Sequence, residues 1–580
     1  FIWFVLLGVL LYFMYNNLLK RSINHPWVSY LALAATAWYV LHTANAETVN
    51  YIISRSDVLS TFCIVASFLI YISYPAKRKW GLYIIPAVIG VFAKETVLVL
   101  IILLFFYILL FENELSVADL FKSKNFKRLS SALWLILPIL VAVVIVQYYT
   151  LSKIKSISGI TNPFLYYVLT QAWVWVHYFI SFFLPMNLSA DTDMTVINNV
   201  FDERIIIGLI FVVLLVITIF KTSAKKETKP IAFGLIWFAA SLLPTSLAPF
   251  AEVTNDHRMF FPFIGLSLSV VTYIGLFLFK NDKQIIASKN YRTLIGTCIF
   301  LVLGLNAYGI HQRNKVWNND ESLWYDVTVK SPLNGRGLMN YGLTQMGKGN
   351  YVVADQYFEK AAQYLPYYNT LYINIGILKG ATGHPVEADE NFKKAIAYSP
   401  YTYDSYAFYA RYLKTVNRDP EAIQMAQKAL QINPYSVIAL QTLMAAYNDL
   451  GQWDNLKQTA QQTLSVLPND STAEIYLQAA TKQKPLANIN SKSLSAADYI
   501  NMSVTYYNQQ EYQRCIDACK LAIALKPDYA DAYSNMGAAY NQLKEWNKGI
   551  EACEMALKID PNHKLATGNL QWAKKQLNNK

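Results

Sequence analysis

The ionisable side chains spaced to do chemistry fall in four short stretches of the first 260 residues. The first, HTANAETVNYIISRSD, carries His42, Glu47, Arg55 and Asp57, and the second is the pair Lys94-Glu95. The third, 186–204, holds Asp191, Asp193, Asp202, Glu203 and Arg204; the fourth, AEVTNDHRMFFP, holds Glu252, Asp256, His257 and Arg258. Arginine suits a phosphate because its planar fork makes two parallel charge-assisted hydrogen bonds. A carboxylate nearby could accept the proton of a hydroxyl nucleophile. Together they would serve transfer of a group from a phosphate-linked donor. The plainer alternative is that Glu47, Arg55 and Asp57 pair to hold a loop. Asp191-Thr192-Asp193 resembles a nucleotide-sugar metal motif, a three-residue match that arises readily by chance, and no His/Cys set has metal-ligand spacing.

The elements that must position these residues are apolar helices. The 580 residues are 54% hydrophobic and only 15% charged. Composition changes near residue 311, from long apolar stretches to a polar, helix-patterned remainder. A membrane helix needs about 20 mostly apolar residues, and candidate spans lie at 1–17, 28–44, 58–74, 80–93, 96–111, 131–149, 204–220, 231–249, 262–279 and 293–310. The net charge of +12 does not mark a nucleic-acid binder: residues 1–310 hold 23 Lys+Arg against 14 Asp+Glu, concentrated in short loops. Those loops are Lys20-Arg21, Lys77–Lys79, Lys122–Arg128, Lys221–Lys229 and Lys280–Arg292, the excess expected of cytoplasmic loops.

Segment 165–184, rich in Trp, Tyr and His, decides the topology. If it lies at the interface or re-enters, all five basic clusters share one side, with 17 Lys+Arg there against 6 opposite. The four chemistry-bearing stretches and everything after residue 311 then face outward, in the plasma (inner) membrane of the cell. The opening FIWFVLLGVLLYFMY reads as the interior of a membrane helix, with a preceding segment expected. The five cysteines are too scattered for a disulfide framework and read as buried packing thiols.

Past residue 311 the chain repeats. Prolines stand at 332, 366, 400, 434, 468, 527 and 561, all but one step being 34 residues, the period of the tetratricopeptide repeat (TPR). Small residues recur in register with an aromatic: Gly342, Ala354, Phe358 and Ala361 in one unit, Gly376, Ala388, Phe392 and Ala395 in the next. They let paired helices approach, and the proline ends the second helix. The array offers a protein- or peptide-binding surface, and its scattered tyrosines (Tyr341, Tyr372, Tyr406, Tyr447, Tyr506, Tyr507, Tyr540) are contact candidates, half or more of them also packing residues.

The order of motifs resembles one family. LHTANAETVNYIISRSDVLSTFCIVASFLIY, AKETVLVL, PMNLSADTDM, NDHRMFFPFIGL and VWNNDESLWYDVTVKSPLNGRGLMNYG are together similar to the transmembrane-and-TPR O-mannosyltransferases, a branch of the C-type glycosyltransferases. The resemblance implies transfer of a sugar from a polyprenyl-phosphate carrier to Ser or Thr of a protein, or to another extracytoplasmic acceptor. Arg258, Arg55 and Lys94 would bind the donor phosphate, and Glu47, Asp57 and Glu95 would support catalysis. The catalytic carboxylate itself would precede Phe1. Asp256-His257 departs from the family's simple acidic–Arg pair. The rival function is a membrane-anchored TPR scaffold of an envelope complex with an inactive transferase fold; a transporter is disfavoured because no paired broken helices occur.

The expected fold is all-α: a polytopic domain of the C-type glycosyltransferase kind at 1–310, a junction at 311–334, repeats at 335–470, an irregular insert at 471–495, repeats at 496–563 and a capping helix at 564–580.

Overall fold

The computed structural model describes residues 1–151, 164–250, 252–486, 496–508 and 510–578, and every regular element among them is a helix. The chain divides into two compact units, Phe1–Tyr398 and Ser399–Lys580.

The first unit opens with α1 (Ile2–Ser22), α2 (Val28–Val40), the short α3 (Asn45–Asn50), α4 (Arg55–Ser73), α5 (Ile84–Ala93), α6 (Val99–Tyr107) and α7 (Phe126–Leu151). It continues with α8 (Phe164–Phe183), α9 (Glu203–Ser223), α10 (Lys229–Leu247), α11 (Pro262–Lys280), the short α12 (Asp282–Ala287) and α13 (Lys289–Val316). Among the described residues eight helices are long and apolar enough to cross a membrane: α1, α4, α6 with its flanking turns (Glu95–Glu112), α7, α9, α10, α11 and α13. Helices α2 and α5 fall on the other two candidate spans and are shorter.

Helices α10 and α11 make the tightest crossing, and glycine is the reason. A Cβ on Gly234 would stand 2.3 Å from the Gly265 carbonyl oxygen, and one on Gly265 would stand 2.2 Å from that of Gly234. Small residues at a crossing let two backbones approach where no hydrophobic effect drives helices together. The Ser269 hydroxyl donates to Ile231 O (2.9 Å) and Trp237 Nε1 to Phe261 O (3.1 Å), so polar groups on these helices find partners within the bundle. Tyr15 on α1 likewise donates to Ile264 O (2.8 Å).

The polar contacts of α8 gather at one end of the unit. Tyr167 donates to Thr245 O, Gln171 to Val253 O and Tyr178 to Asn255 O, while His42 Nε2 lies 3.0 Å from Phe182 O. Those partners are the C-terminal ends of α10 and α2 and the loops that follow them.

After α13 come α14 (Asp320–Lys330) and the first helix pairs, α15 (Gly335–Gly347) with α16 (Tyr351–Tyr364) and α17 (Asn369–Ala381) with α18 (Pro385–Tyr398). In the second unit α19 (Tyr403–Thr415) pairs with α20 (Asp419–Ile432), and α21 (Val437–Asp449) with α22 (Trp453–Val466). Then follow α23 (Ser471–Lys482), α24 (Ala496–Asn508) with α25 (Tyr512–Leu525), α26 (Ala530–Gln542) with α27 (Trp546–Ile559), and α28 (Lys564–Asn578). The insert expected at 471–495 thus contains α23, and its last nine residues lie outside those described.

Steric need fixes the small positions of each pair. A Cβ on Gly342 would meet Phe358 at 2.8 Å, one on Gly376 would meet Phe392 at 3.0 Å, and one on Gly537 would meet Cys553 Sγ at 2.5 Å. Phe358 and Phe392 are fully buried. Of the cysteines, Cys63, Cys515, Cys519 and Cys553 are buried, as expected of packing thiols. Cys298 is exposed on α13, because little packs against that helix there.

Candidate functional site

The four chemistry-bearing stretches, far apart in sequence, meet at one end of the first unit. Asp57, in the first turn of α4, accepts from Lys94 Nζ at 2.6 Å, Lys94 standing in extended backbone just past α5. Glu47 on α3 sits behind them, fully enclosed, with Oε1 3.3 Å from His257 Nδ1. Burial pushes the Glu47 carboxyl up to about 8 and the His257 imidazole down to about 4. Near pH 7 the two therefore meet as neutral partners, because desolvation penalises the charged form of each.

Arg258 Nη1 donates to the carbonyls of Glu252 and Val253 (3.2 and 3.3 Å), and its guanidinium stands 5.1 Å from the centre of the Phe250 ring. Asp57, Lys94, Glu95, His257 and Arg258 line one cavity of about 220 Å³, closed on its apolar side by residues of α10 and α11. Arg55 opens α4 with its side chain exposed and is not among the lining residues. Asp256 is buried, its carboxylate accepting from Ser189 N at 2.7 Å, and desolvation holds its carboxyl well above the usual range. Asp202 caps α9, accepting from Arg204 N at 2.9 Å.

The Asp-Thr-Asp stretch has a different use from the one its letters suggest. Asp191 Oδ2 accepts Nε and Nη2 of Arg336 at 3.0 and 2.7 Å, and Arg336 Nη2 also reaches Glu252 Oε1 at 2.6 Å. Asn334 donates to Thr192 O (2.8 Å), and Asp193 accepts from Leu333 N (3.2 Å). Lys330 donates to Leu188 O (2.8 Å) while pairing with Asp326, which also holds Arg313 at 2.6 Å. All three residues of the stretch are spent on the junction and the first repeat helix. This clamp is the functional feature that reading the sequence missed.

A second feature lies on the repeats. Tyr367, Tyr401 and Tyr435 each follow a repeat-end proline, and they are 75%, 90% and 70% exposed. The tyrosines singled out earlier have a larger share in packing: Tyr447 is buried, and the hydroxyls of Tyr372 and Tyr406 donate to Pro366 O and Pro400 O of their own turns. The sign that finds the exposed set is a Pro-Tyr pair recurring at the 34-residue period.

Comparison with known proteins finds one family match, on a single repeat. The tetratricopeptide-repeat profile matches residues 530–563. No curated protein matches the chain. Similar solved structures include PilF of Pseudomonas aeruginosa (14% identity, 42% of this chain and 97% of that one, TM-score 0.22). Others are YrrB, described as a TPR protein with an unusual peptide-binding site (18%, 36% and 96%, 0.18), and the APC/C hetero-tetramer Cut9-Hcn1 (13%, 94% and 90%, 0.25).

These findings correct the expectation of a membrane glycosyltransferase. The family profile that matches is a repeat profile, that of the tetratricopeptide repeat. The physical reason lies in the pairing. Asp57 is taken by Lys94, Glu47 is buried against His257, and Asp191 and Glu252 are taken by Arg336. Glu47, Arg55 and Asp57 do not pair with one another, as the plainer reading had it: Asp57 meets Lys94, Glu47 meets His257 and Arg55 is exposed.

Proposed function

We propose that the protein is a membrane-anchored TPR scaffold that holds a protein or peptide partner on its repeats. The observation that carries this reading is the exposed Tyr401 and Tyr435, set one repeat apart at equivalent turns of the second unit. Tyrosine combines a large apolar face with a polar tip and is enriched where interfaces carry their binding energy. An exposed aromatic recurring at the repeat period gives an extended partner regularly spaced anchors.

The clamp of Arg336, Asn334 and Lys330 onto 188–193 supports the anchoring half of the reading, since it ties the first repeat to the apolar helices by side chains as well as by the chain. The division of basic residues, 17 against 6, supports an extracytoplasmic repeat array, with α8 at the membrane surface.

The test is recovery of the partner with the full chain. Protein purified from its native membrane should carry a stoichiometric partner, and Tyr401→Ser with Tyr435→Ser should cut recovery about tenfold or more while leaving helix content unchanged. Equal recovery from the double variant would remove the tyrosines from the interface.

A further inference from the structure

Helix α13 is pinned at one end and stands off at the other. Asn306 Oδ1 accepts from Thr43 N and the Thr43 hydroxyl donates to Asn306 O, both at 3.2 Å, while a Cβ on Gly309 would lie 2.3 Å from Thr43 Oγ1. Toward Lys289 less packs against it: nothing lies within 4 Å of a Cβ placed on Gly296 or Gly304.

Two adjoining clefts, of about 320 and 350 Å³, open between α13 and the α2–α11 pair and share Leu31, Ala34, Leu278, Ile295 and Ile299. The inner one is lined by apolar side chains and Cys298, and the outer one ends at Trp27, Tyr30 and Arg292. From Arg292 to Leu303 the helix rises about 16 Å, close to half the roughly 30 Å thickness of a bilayer's hydrocarbon core. The clefts therefore match the depth of one leaflet.

Charge distinguishes the mouth from the interior. Arg292 lines it, Lys289 stands one turn earlier on α13, and Lys280 and Lys283 precede them on α11 and α12; among the described residues none of the four has a carboxylate at ion-pair distance. The acid in that stretch, Asp282, faces His25 at 3.5 Å, and the His25 ring stacks on Phe279 with centroids 3.9 Å apart. Trp27 and Tyr30 stand where aromatic side chains mark a membrane–water boundary.

We infer that the space between α13 and α2–α11 is a binding site for an anionic phospholipid, with one acyl chain along the clefts and the phosphate at Arg292 and Lys289. A free phosphate would leave the apolar walls uncovered, and a zwitterionic lipid would bring a cation of its own against these basic residues.

The test uses the full chain in detergent, titrated with phosphatidylglycerol or with phosphatidylcholine, and followed by native mass spectrometry and thermal melting. Phosphatidylglycerol should be retained and should raise the melting temperature at concentrations where phosphatidylcholine does neither. Arg292→Gln and Lys289→Gln should each weaken the phosphatidylglycerol effect about fivefold. Cys298→Trp should fill the inner cleft and abolish retention with the helix content unchanged; if that variant does not fold, Ala34→Leu on the opposite wall reads the same property. Equal retention of the two lipids, or undiminished retention with the cleft filled, overturns the inference.

Discussion

Arg336, at the start of the first repeat, reaches Asp191, 145 residues earlier in a loop of the apolar bundle, at 2.7 Å. The pair is uneven: Asp191 is almost wholly enclosed, while the guanidinium keeps 42% of its side-chain surface in solvent and reaches Glu252 as well. Arg336 is what allows a carboxylate to be buried where the repeats begin.

Removing that partner leaves Asp191 enclosed and uncompensated. A fully buried pair costs about 3–5 kcal/mol to break; the exposure of Arg336 lowers the expectation to about 1–3 kcal/mol for Arg336→Ala. Amide hydrogen exchange should quicken in 188–193 and in α15 while that of α10 and α11 stays slow. Arg336→Lys should recover part of the protection, since an ammonium lacks the planar fork.

The enclosed Glu47 makes stability depend on pH. Its folded-state value of about 8 lies above that of an unfolded carboxyl, so its contribution is complete at low pH and is lost as pH rises toward 8. His257 acts oppositely: its folded value of about 4 lies below the unfolded one, so stability is lost as pH falls from about 6.5 toward 4. Between pH 6.5 and 8 the Glu47 slope stands without the opposing one from His257. The melting temperature should fall across that window, and Glu47→Gln should make the fall shallower, the enclosed Asp256 adding a slope of the same sign.

The repeat core is predicted to be intolerant in both directions. Phe358→Ala removes a fully buried ring and should cost about 3–5 kcal/mol. Gly342→Val drives a side chain into Phe358, whose nearest atom lies 2.8 Å from the added Cβ, and should cost about 1–3 kcal/mol. Both are read as loss of exchange protection in α15 and α16.

The contrast between repeats and clamp explains what was legible in the sequence. Gly342, Phe358 and Pro366 sit within 25 residues of one another and recur at a fixed step, so their packing is written locally and repeatedly. Long apolar runs are legible for a similar reason, because crossing a membrane sets a minimum length. Arg336 with Asp191, and Arg336 with Glu252 across 84 residues, have no such signature. Which carboxylate meets which cation is decided by how the helices pack, and spacing along the chain does not encode that. The same gap misled the functional reading: Glu47, Asp57, Lys94 and Arg258 do converge on one end, but the sequence could not tell that Asp57 is taken by Lys94 and Glu47 by His257.

The proposed orientation rests on the basic loops and can be tested by labelling. In a background lacking the native cysteines, Tyr401→Cys should react with a membrane-impermeant maleimide in intact cells, and Lys226→Cys should react only after permeabilisation. Labelling in the reverse order would invert the topology.

The scaffold claim is tested most directly by placing a photo-crosslinking amino acid at position 401, and separately at 435, of the full chain in its native membrane. Both positions should yield an adduct of the same mass, and a crosslinker at the exposed Leu214 on the apolar face of α9 should not. Absence of an adduct at both positions, with the protein folded and inserted, would contradict a partner held on the repeats.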